Sequence, residues 1–366
     1  MPVLPFARGV SLRSPWWRRL PLLALLLLVP AVAAAQTYPQ STLIPKGDFA
    51  DLVDGVFWTT MWWGLLVFVL VEGALLFVIF RYRGRPDDPE PEQVHGNTMA
   101  EILWTAIPAV ILAMIAVPTV RAIFKTYEQP TGDILKVEVV GHQWWWEFRY
   151  PELGLTTANE LHVPRGKAVS LKMTTTDVLH SWWSPQFAAK RDVFPNRSTT
   201  LWFSARETGN WSGQCAEFCG IQHGRMGFRV IVDEPAEYDR FIGTLRASAA
   251  PPVRADSTGL QVTKLGAQAP GVAPDPLLAE GEKLFTNKGC IGCHSLNAAK
   301  PVGIGPNLAG IGSRTYLAAG WLENTDANLA RWIREPQAVK EGVLMPNLGV
   351  TEPEAKALVA YLRSHK

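Results

Sequence analysis

Two uninterrupted apolar runs constrain this chain more than any other feature in it. Residues 56–80 make a run of 25 residues with a single charge, Glu72, and residues 102–120 make a run of 19 with none. At 1.5 Å of rise per residue, helices over these runs reach about 37 Å and 28 Å, enough for a hydrocarbon core of roughly 30 Å. A backbone in lipid must satisfy its own hydrogen bonds, so a helical hairpin is the structure these runs allow. Arg81, Arg83 and Arg85 follow the first run directly. Positive charge marks the cytoplasmic loop, so both outer ends of the hairpin are expected on the opposite face. Pro108 and Pro118 are tolerable in a span, and Glu72, costly in lipid, is expected to face protein.

The N-terminus agrees with that orientation. Arg13, Arg18 and Arg19 form a basic segment, residues 20–29 are apolar, and Ala33-Ala34-Ala35 fits a cleavage site before Gln36. Residues 1–35 therefore read as a secretory signal peptide. Of the 366 residues, 35 are Lys or Arg and 33 Asp or Glu, a net charge of +2. That balance argues against nucleic acid as a partner, and the length implies two to three domains at roughly 150 residues each. The four cysteines, at 215, 219, 290 and 293, are too few for a disulfide-dense scaffold. They form two close pairs, each with a histidine nearby.

Past Tyr127 the pattern changes to short alternating segments, 134–140, 144–150, 168–173, 199–203 and 228–232, separated by turn signals such as Pro164-Arg165-Gly166. Short strands at this spacing predict a β-sandwich or barrel. Within it, Cys215, Cys219, His223 and Met226 fall inside twelve residues. Two thiolates, an imidazole and a thioether form a soft donor set that suits copper, and the second thiolate lets the pair bridge two ions. A structural zinc site or a Cys215–Cys219 disulfide leaves Met226 without a use. The loop supplies one histidine, so a second must come from elsewhere. His180 is the best placed, with His142 and His162 as competitors expected to be structural.

Residues 246–275 are dominated by Pro, Ala, Gly and Ser with no apolar period. They read as a flexible linker with an r.m.s. span of about 30 Å. Beyond it, Cys290-Ile-Gly-Cys293-His294 is the attachment signature of c-type haem, two thioethers with the adjacent histidine as iron ligand. A sixth ligand that raises the potential is a methionine. Met345, in Leu344-Met345-Pro346-Asn347, is the one methionine after Met226, and His365 is the alternative. Helices are predicted over 276–287, 328–334 and 352–364, with Trp332 against the haem.

With these motifs in place, the chain resembles subunit II of haem-copper cytochrome c oxidase over roughly residues 45–240. The residues that carry the likeness are Gly141-His-Gln-Trp144-Trp-Trp146, Asp177-Val-Leu-His180-Ser-Trp182, Lys190-Arg-Asp192-Val-Phe-Pro195-Asn-Arg197 and Gly213-Gln-Cys215 through Met226. The resemblance implies a cupredoxin-like fold holding a dinuclear copper A centre. Its ligands would be His180, Cys215, the backbone carbonyl of Glu217, Cys219, His223 and Met226. It further implies that the Glu217 carboxylate binds a magnesium ion shared with subunit I. Trp144 matches the family's surface tryptophan that receives electrons, and Glu101 the carboxylate at the mouth of a proton pathway. Gly305-Pro306-Asn307-Leu308 resembles the class I cytochrome c turn whose proline backs the proximal histidine. Gly281, Phe285 and Tyr361 fit the crossing of that family's first and last helices.

The whole resembles the fused subunit II of caa3-type oxidases. The expected architecture is a signal peptide (1–35), a transmembrane hairpin (36–127, helices about 56–80 and 102–123), a cupredoxin-like β-sandwich (128–245), a linker (246–275) and an all-α class I cytochrome c domain (276–366). The resemblance implies an electron-transfer subunit that takes electrons from a cytochrome c donor or a cytochrome bc complex and passes them through haem c and copper A to subunit I. Oxygen reduction and proton pumping would occur in subunit I. Subunit III and membrane lipid are the other expected partners, in a bacterial plasma membrane with both metal domains on the periplasmic side. A copper-delivery protein would have no use for Met226 or the haem signature, and the soluble copper domain of a nitrous oxide reductase would not carry the membrane runs. From 276 to 366 the chain has ten basic and eight acidic residues, and from 133 to 240 twelve basic and thirteen acidic. Such weak opposing charge suits a tethered donor better than one steered from solution.

Overall fold

The computed structural model describes residues 40–84, 89–90, 92–249, 275–300 and 303–366. The expected signal peptide, Arg85 and most of the expected linker, residues 250–274, lie outside the described residues. Helix α1 spans Asp48–Arg81 and α2 spans Thr98–Tyr127, so both helices extend past their apolar runs at each end. The extra turns are polar: Asp48 and Asp51 open α1, and Asn97 caps α2 by accepting from Ala100 N at 3.1 Å. Both have windows apolar enough to cross a membrane, and no residue of those windows is buried. Pro108 and Pro118 sit inside α2 without breaking it.

The first turn of α1 is fixed to the domain that follows. Phe49 and Ala50 are buried, and the Phe49 ring meets Trp202 edge-on at 5.9 Å. Arg206 pairs with Asp48 and Asp51. The membrane anchor is thereby joined to a β-sandwich by packing as well as by the chain.

Ten strands form that sandwich: β1 (Ile134–His142), β2 (Trp145–Tyr150), β3 (Leu155–Ala158), β4 (Glu160–Pro164), β5 (Ala168–Thr175), β6 (His180–Trp183), β7 (Arg191–Val193), β8 (Thr199–Ser204), β9 (Gly209–Cys215) and β10 (Gly227–Asp233). One sheet has the order β3-β2-β1-β5-β8 and the other β4-β10-β9-β6-β7. β1 pairs with β5 in parallel and β10 with β4 likewise, while the remaining pairs are antiparallel. Alternation along the strands sends one set of side chains inward, as in β5 and β10. The core they build is aromatic. Trp182 stacks on Phe228 at 5.1 Å, and Trp146 meets the same ring edge-on at 5.7 Å.

Helix α3 (Pro235–Ala249) leaves the sandwich after β10. It occupies residues 246–249, which the composition assigns to the linker. Ile242 and Leu245 bury against Leu155 of the sandwich and against Ala298 and Ala309 of the C-terminal domain, and that apolar contact extends the helix.

The C-terminal domain is helical: α4 (Pro276–Asn287), α5 (Asp326–Arg334), the short α6 (Pro336–Val339) and α7 (Glu352–Ser364), with a two-residue hairpin of β11 (Tyr316–Leu317) and β12 (Leu322–Glu323). Asp275 caps α4 through Leu277 N at 2.9 Å, and Thr351 with Glu354 forms a capping box on α7. α4 and α7 cross where Gly281 lacks a side chain, since a Cβ there would lie 2.2 Å from Ala357 O. Phe285 and Tyr361 pack beside the crossing with ring centroids 5.8 Å apart.

Candidate metal and haem sites

The first site lies between the start of β6 and the loop after β9. His180 opens β6, and Cys215 closes β9, which pairs with β6 opposite Trp182. The chain then turns through Glu217 and Cys219 to a 3₁₀ turn, His223–Arg225, and re-enters the sheet past Met226. This loop returns the ligand-type residues to one point. Cys215 Sγ lies 3.8 Å from His180 Nδ1, 3.8 Å from Cys219 Sγ and 3.3 Å from the Glu217 carbonyl oxygen. Cys219 Sγ lies 3.6 Å from His223 Nδ1 and 3.7 Å from Met226 Sδ. His180, Cys215, Cys219 and Met226 are buried, whereas the Glu217 side chain is exposed.

The electrostatics favour a metal-binding thiolate. A hydrogen bond from Cys219, with further bonds from His180 and backbone, holds Cys215 well below the usual thiol range despite burial. The same neighbour pushes Cys219 upward, so the negative charge is favoured on Cys215. Burial works against a charged His180, but hydrogen bonds to Asp177 and Cys215 raise it. Asp177 Oδ1 lies 2.8 Å from His180 Nε2, which leaves Nδ1 turned to the sulfurs. A carboxylate in this position fixes the tautomer and orientation of a metal-ligating imidazole. Gly141 makes room for that ring, because a Cβ there would lie 2.8 Å from His180 Cδ2. Two soft thiolates, two imidazoles, a thioether and a carbonyl around one point fit a dinuclear copper site.

His142 and His162 stay outside this constellation. His142 stacks on Trp145 at 4.1 Å and bonds Glu147 and Thr176. His162 bonds Asp233 at 2.8 Å and stacks on Phe241 at 3.7 Å.

The second site is an apolar cleft in the helical domain. Its lining includes Cys290, Cys293, His294, Trp332 and Met345. His294 Nδ1 lies 2.8 Å from the Pro306 carbonyl, which fixes the ring and leaves Nε2 free. Burial lowers the pKa of His294, opposed by that bond, so the neutral imidazole a metal needs is favoured. Gln337 donates to the carbonyls of Val343 at 2.7 Å and Met345 at 2.9 Å, which ties down the methionine loop. Both cysteines are free and half-buried. His365 does not line the cleft and lies edge-on to Tyr361 at 4.8 Å. Apolar walls, two free thiols and a histidine with a free nitrogen fit a covalently attached haem.

The same cleft is walled on one side by Gln143, Trp144 and Trp145 of the sandwich. The resemblance implies a surface tryptophan at Trp144, whereas here Trp144 faces the helical domain. It is 8% exposed, covered by the helical domain, and its Nε1 donates to the Cys219 carbonyl at 2.9 Å. Glu101 stands exposed in the first turn of α2, and Glu72 is half-exposed on α1. Neither is brought to the metal or haem site.

Sequence reasoning missed three residues that shape these sites. Asp177 is legible as an acid three residues before His180. Glu160 and Lys340 carry no local signal, because Thr315, which bonds Glu160, and Trp144 and Arg225, which bond Lys340, lie across the domain boundary more than 100 residues away.

Three family profiles match the chain. They are described as "Cytochrome C oxidase subunit II, transmembrane domain" over residues 49–122, "Cytochrome C oxidase subunit II, periplasmic domain" over 154–233, and "Cytochrome c" over 278–366. A cytochrome c oxidase subunit 2 of Alkalihalophilus pseudofirmus is 35% identical over 333 residues, covering 89% of this chain and 91% of the relative. One of Bacillus subtilis is 30% identical over 376 residues, covering 96% and 98%. A quinol oxidase subunit 2 of Bacillus cereus is 29% identical over 252 residues, covering 66% and 84%. The chain thus belongs to the cytochrome c oxidase subunit II family, as a membrane-anchored electron-transfer subunit with a copper A domain and a C-terminal cytochrome c domain, working with other oxidase subunits.

Proposed function

We propose that the copper ligands are His180, Cys215, the Glu217 carbonyl, Cys219, His223 and Met226, and that haem c is held by Cys290, Cys293, His294 and Met345. The observation that carries the copper assignment is the convergence of these donor atoms on two sulfurs 3.8 Å apart. When bound, the copper pair and the haem supply one-electron transfer. The chain's own residues set its conditions. Asp177 fixes His180, the sandwich core keeps water from Met226 and Cys215, and Pro306 and Gln337 orient the two haem ligands.

Trp144 bridges the two sites: its ring lines the haem cleft and its Nε1 bonds the Cys219 carbonyl. It is the residue through which the domains couple. The exposed Glu217 carboxylate is available to a magnesium ion shared with subunit I, and Glu101 to a proton pathway there. The external donor is a cytochrome c or a bc complex, subunit III completes the assembly, and the membrane is the bacterial plasma membrane with the metal domains outside.

Replacing Cys215 with Ser in the full-length holoprotein tests the copper assignment. Copper content and the copper A absorption bands should fall together while the c-type haem bands persist. Unchanged copper stoichiometry would remove the dinuclear assignment.

A further inference from the structure

Lys340 is 1% exposed, and it lies where the helical domain meets the sandwich. Its Nζ donates to three carbonyls, Arg225 at 2.9 Å, Trp144 at 3.2 Å and Ala318 at 3.2 Å. Two of these belong to the copper domain and one to the haem domain. An ammonium has three protons, and each here has an acceptor, which is what burying such a group requires.

The converse arrangement stands nearby on independent residues. Glu160 of the copper domain is 3% exposed. Its Oε1 accepts from Thr315 N at 2.8 Å, Thr315 Oγ1 at 2.6 Å and Tyr316 N at 3.1 Å, all in the haem domain. Each domain thus sends one charged group into the backbone of the other. Gly227 N donates to Ala319 O at 2.9 Å, Arg225 to Val339 O at 2.9 Å and Gln222 to Glu341 O at 2.6 Å. The apolar cluster of Leu155, Ile242, Leu245, Ala298 and Ala309 flanks them. A transient encounter between redox domains keeps charged groups at a wet rim, whereas these are desolvated and matched in direction.

We propose that Lys340 and Glu160 are positioning residues that lock the haem domain in one pose on the copper domain, closing the Trp144 face against any separate donor protein. A separate donor must then dock on the haem domain. The pose rests on the contacts alone. Its meaning for electron flow rests on the function proposed above.

The test uses the copper- and haem-loaded full chain as wild type, Lys340→Met and Glu160→Gln. Amide exchange at Gly227 and Tyr316, whose N–H groups cross the seam, should rise about tenfold or more in each variant, the scale of one lost charged hydrogen bond. After flash reduction of the haem, copper reduction in wild type should proceed at a rate independent of solvent viscosity. In the variants it should slow and become viscosity-dependent, because docking then precedes transfer. The haem and copper spectra report whether each variant is folded. Glu160, far from both ligand sets in sequence, keeps the test open if Lys340→Met destabilises its own domain. Wild-type exchange and viscosity-independent rates in both variants would overturn the proposal. If copper is not reduced after the flash in wild type, the electron-transfer reading fails, while amide exchange still decides the pose.

Discussion

Around the copper site, single atoms decide the outcome. His180 can present Nδ1 to two sulfurs because Nε2 is bonded to Asp177. Asp177→Asn keeps the size of the side chain but gives up the charge that supports the imidazole. Copper affinity should fall roughly 10- to 100-fold, as for other second-layer ligands, with the cysteines intact. Competition with a copper chelator measures it, and an affinity equal to wild type would show that Asp177 has no such role. The proposed ligands could be grouped from the sequence, because a loop of twelve residues keeps five of the six donors close whatever the rest of the chain does. His180 was legible only as the best of three histidines. What separated it from His142 and His162 was that those two already hold other partners, Glu147 and Asp233.

Among elements, the helix predictions over 276–287 and 352–364 coincide with α4 and α7, and the predicted 328–334 begins two residues late because Thr325 caps α5 ahead of its apolar stripe. Helix ends carry their own chemistry in caps and in a 3.6-residue apolar period, so sequence reports them well. The strands β3, β4, β7 and β9 went unread: the first three have five residues or fewer, and β9 (Gly209–Cys215) carries two glycines and one large apolar side chain, Trp211, without alternation. The α4–α7 crossing depends on Gly281. Gly281→Ala pushes a methyl into the Ala357 carbonyl and should cost about 1–3 kcal/mol of haem-domain stability, as overpacking does. Urea unfolding followed by the haem band reads this, and an unshifted midpoint would mean the helices part without cost.

Across the whole molecule, charges buried between and within the domains give stability a pH dependence. His162 is raised above 6.5, Asp233 and Glu160 outweighing the opposing effect of burial. Its contribution is complete below 6.5 and is lost as pH rises through the raised folded value. Glu160 is lowered from 4.5, its hydrogen bonds from His162 and Thr315 outweighing burial, so its contribution is present above 4.5 and is lost as pH falls through the folded value. The window in which both contribute in full runs from 4.5 to 6.5. The melting temperature of wild type should exceed that of His162→Gln most in this window, and the gap should narrow on the alkaline side. A gap that stays constant up to about pH 9 would contradict the linkage.

The sequence by itself determined what depends on neighbours along the chain. Two apolar runs of sufficient length required a membrane hairpin, twelve residues gathered five of the donors proposed for copper, and Cys290, Cys293 and His294 carried the signature of haem attachment. The tertiary structure alone decided how the copper and haem domains meet. The weak opposing charges suggested a loosely tethered donor, yet Lys340 and Glu160 are each buried in the other domain's backbone, and Trp144 is a shared wall where the family resemblance implied a surface. Those contacts join residues more than 100 positions apart through carbonyls and amides. Every residue carries the same carbonyl and nearly every residue the same amide, so no side-chain pattern marks them until the chain has folded.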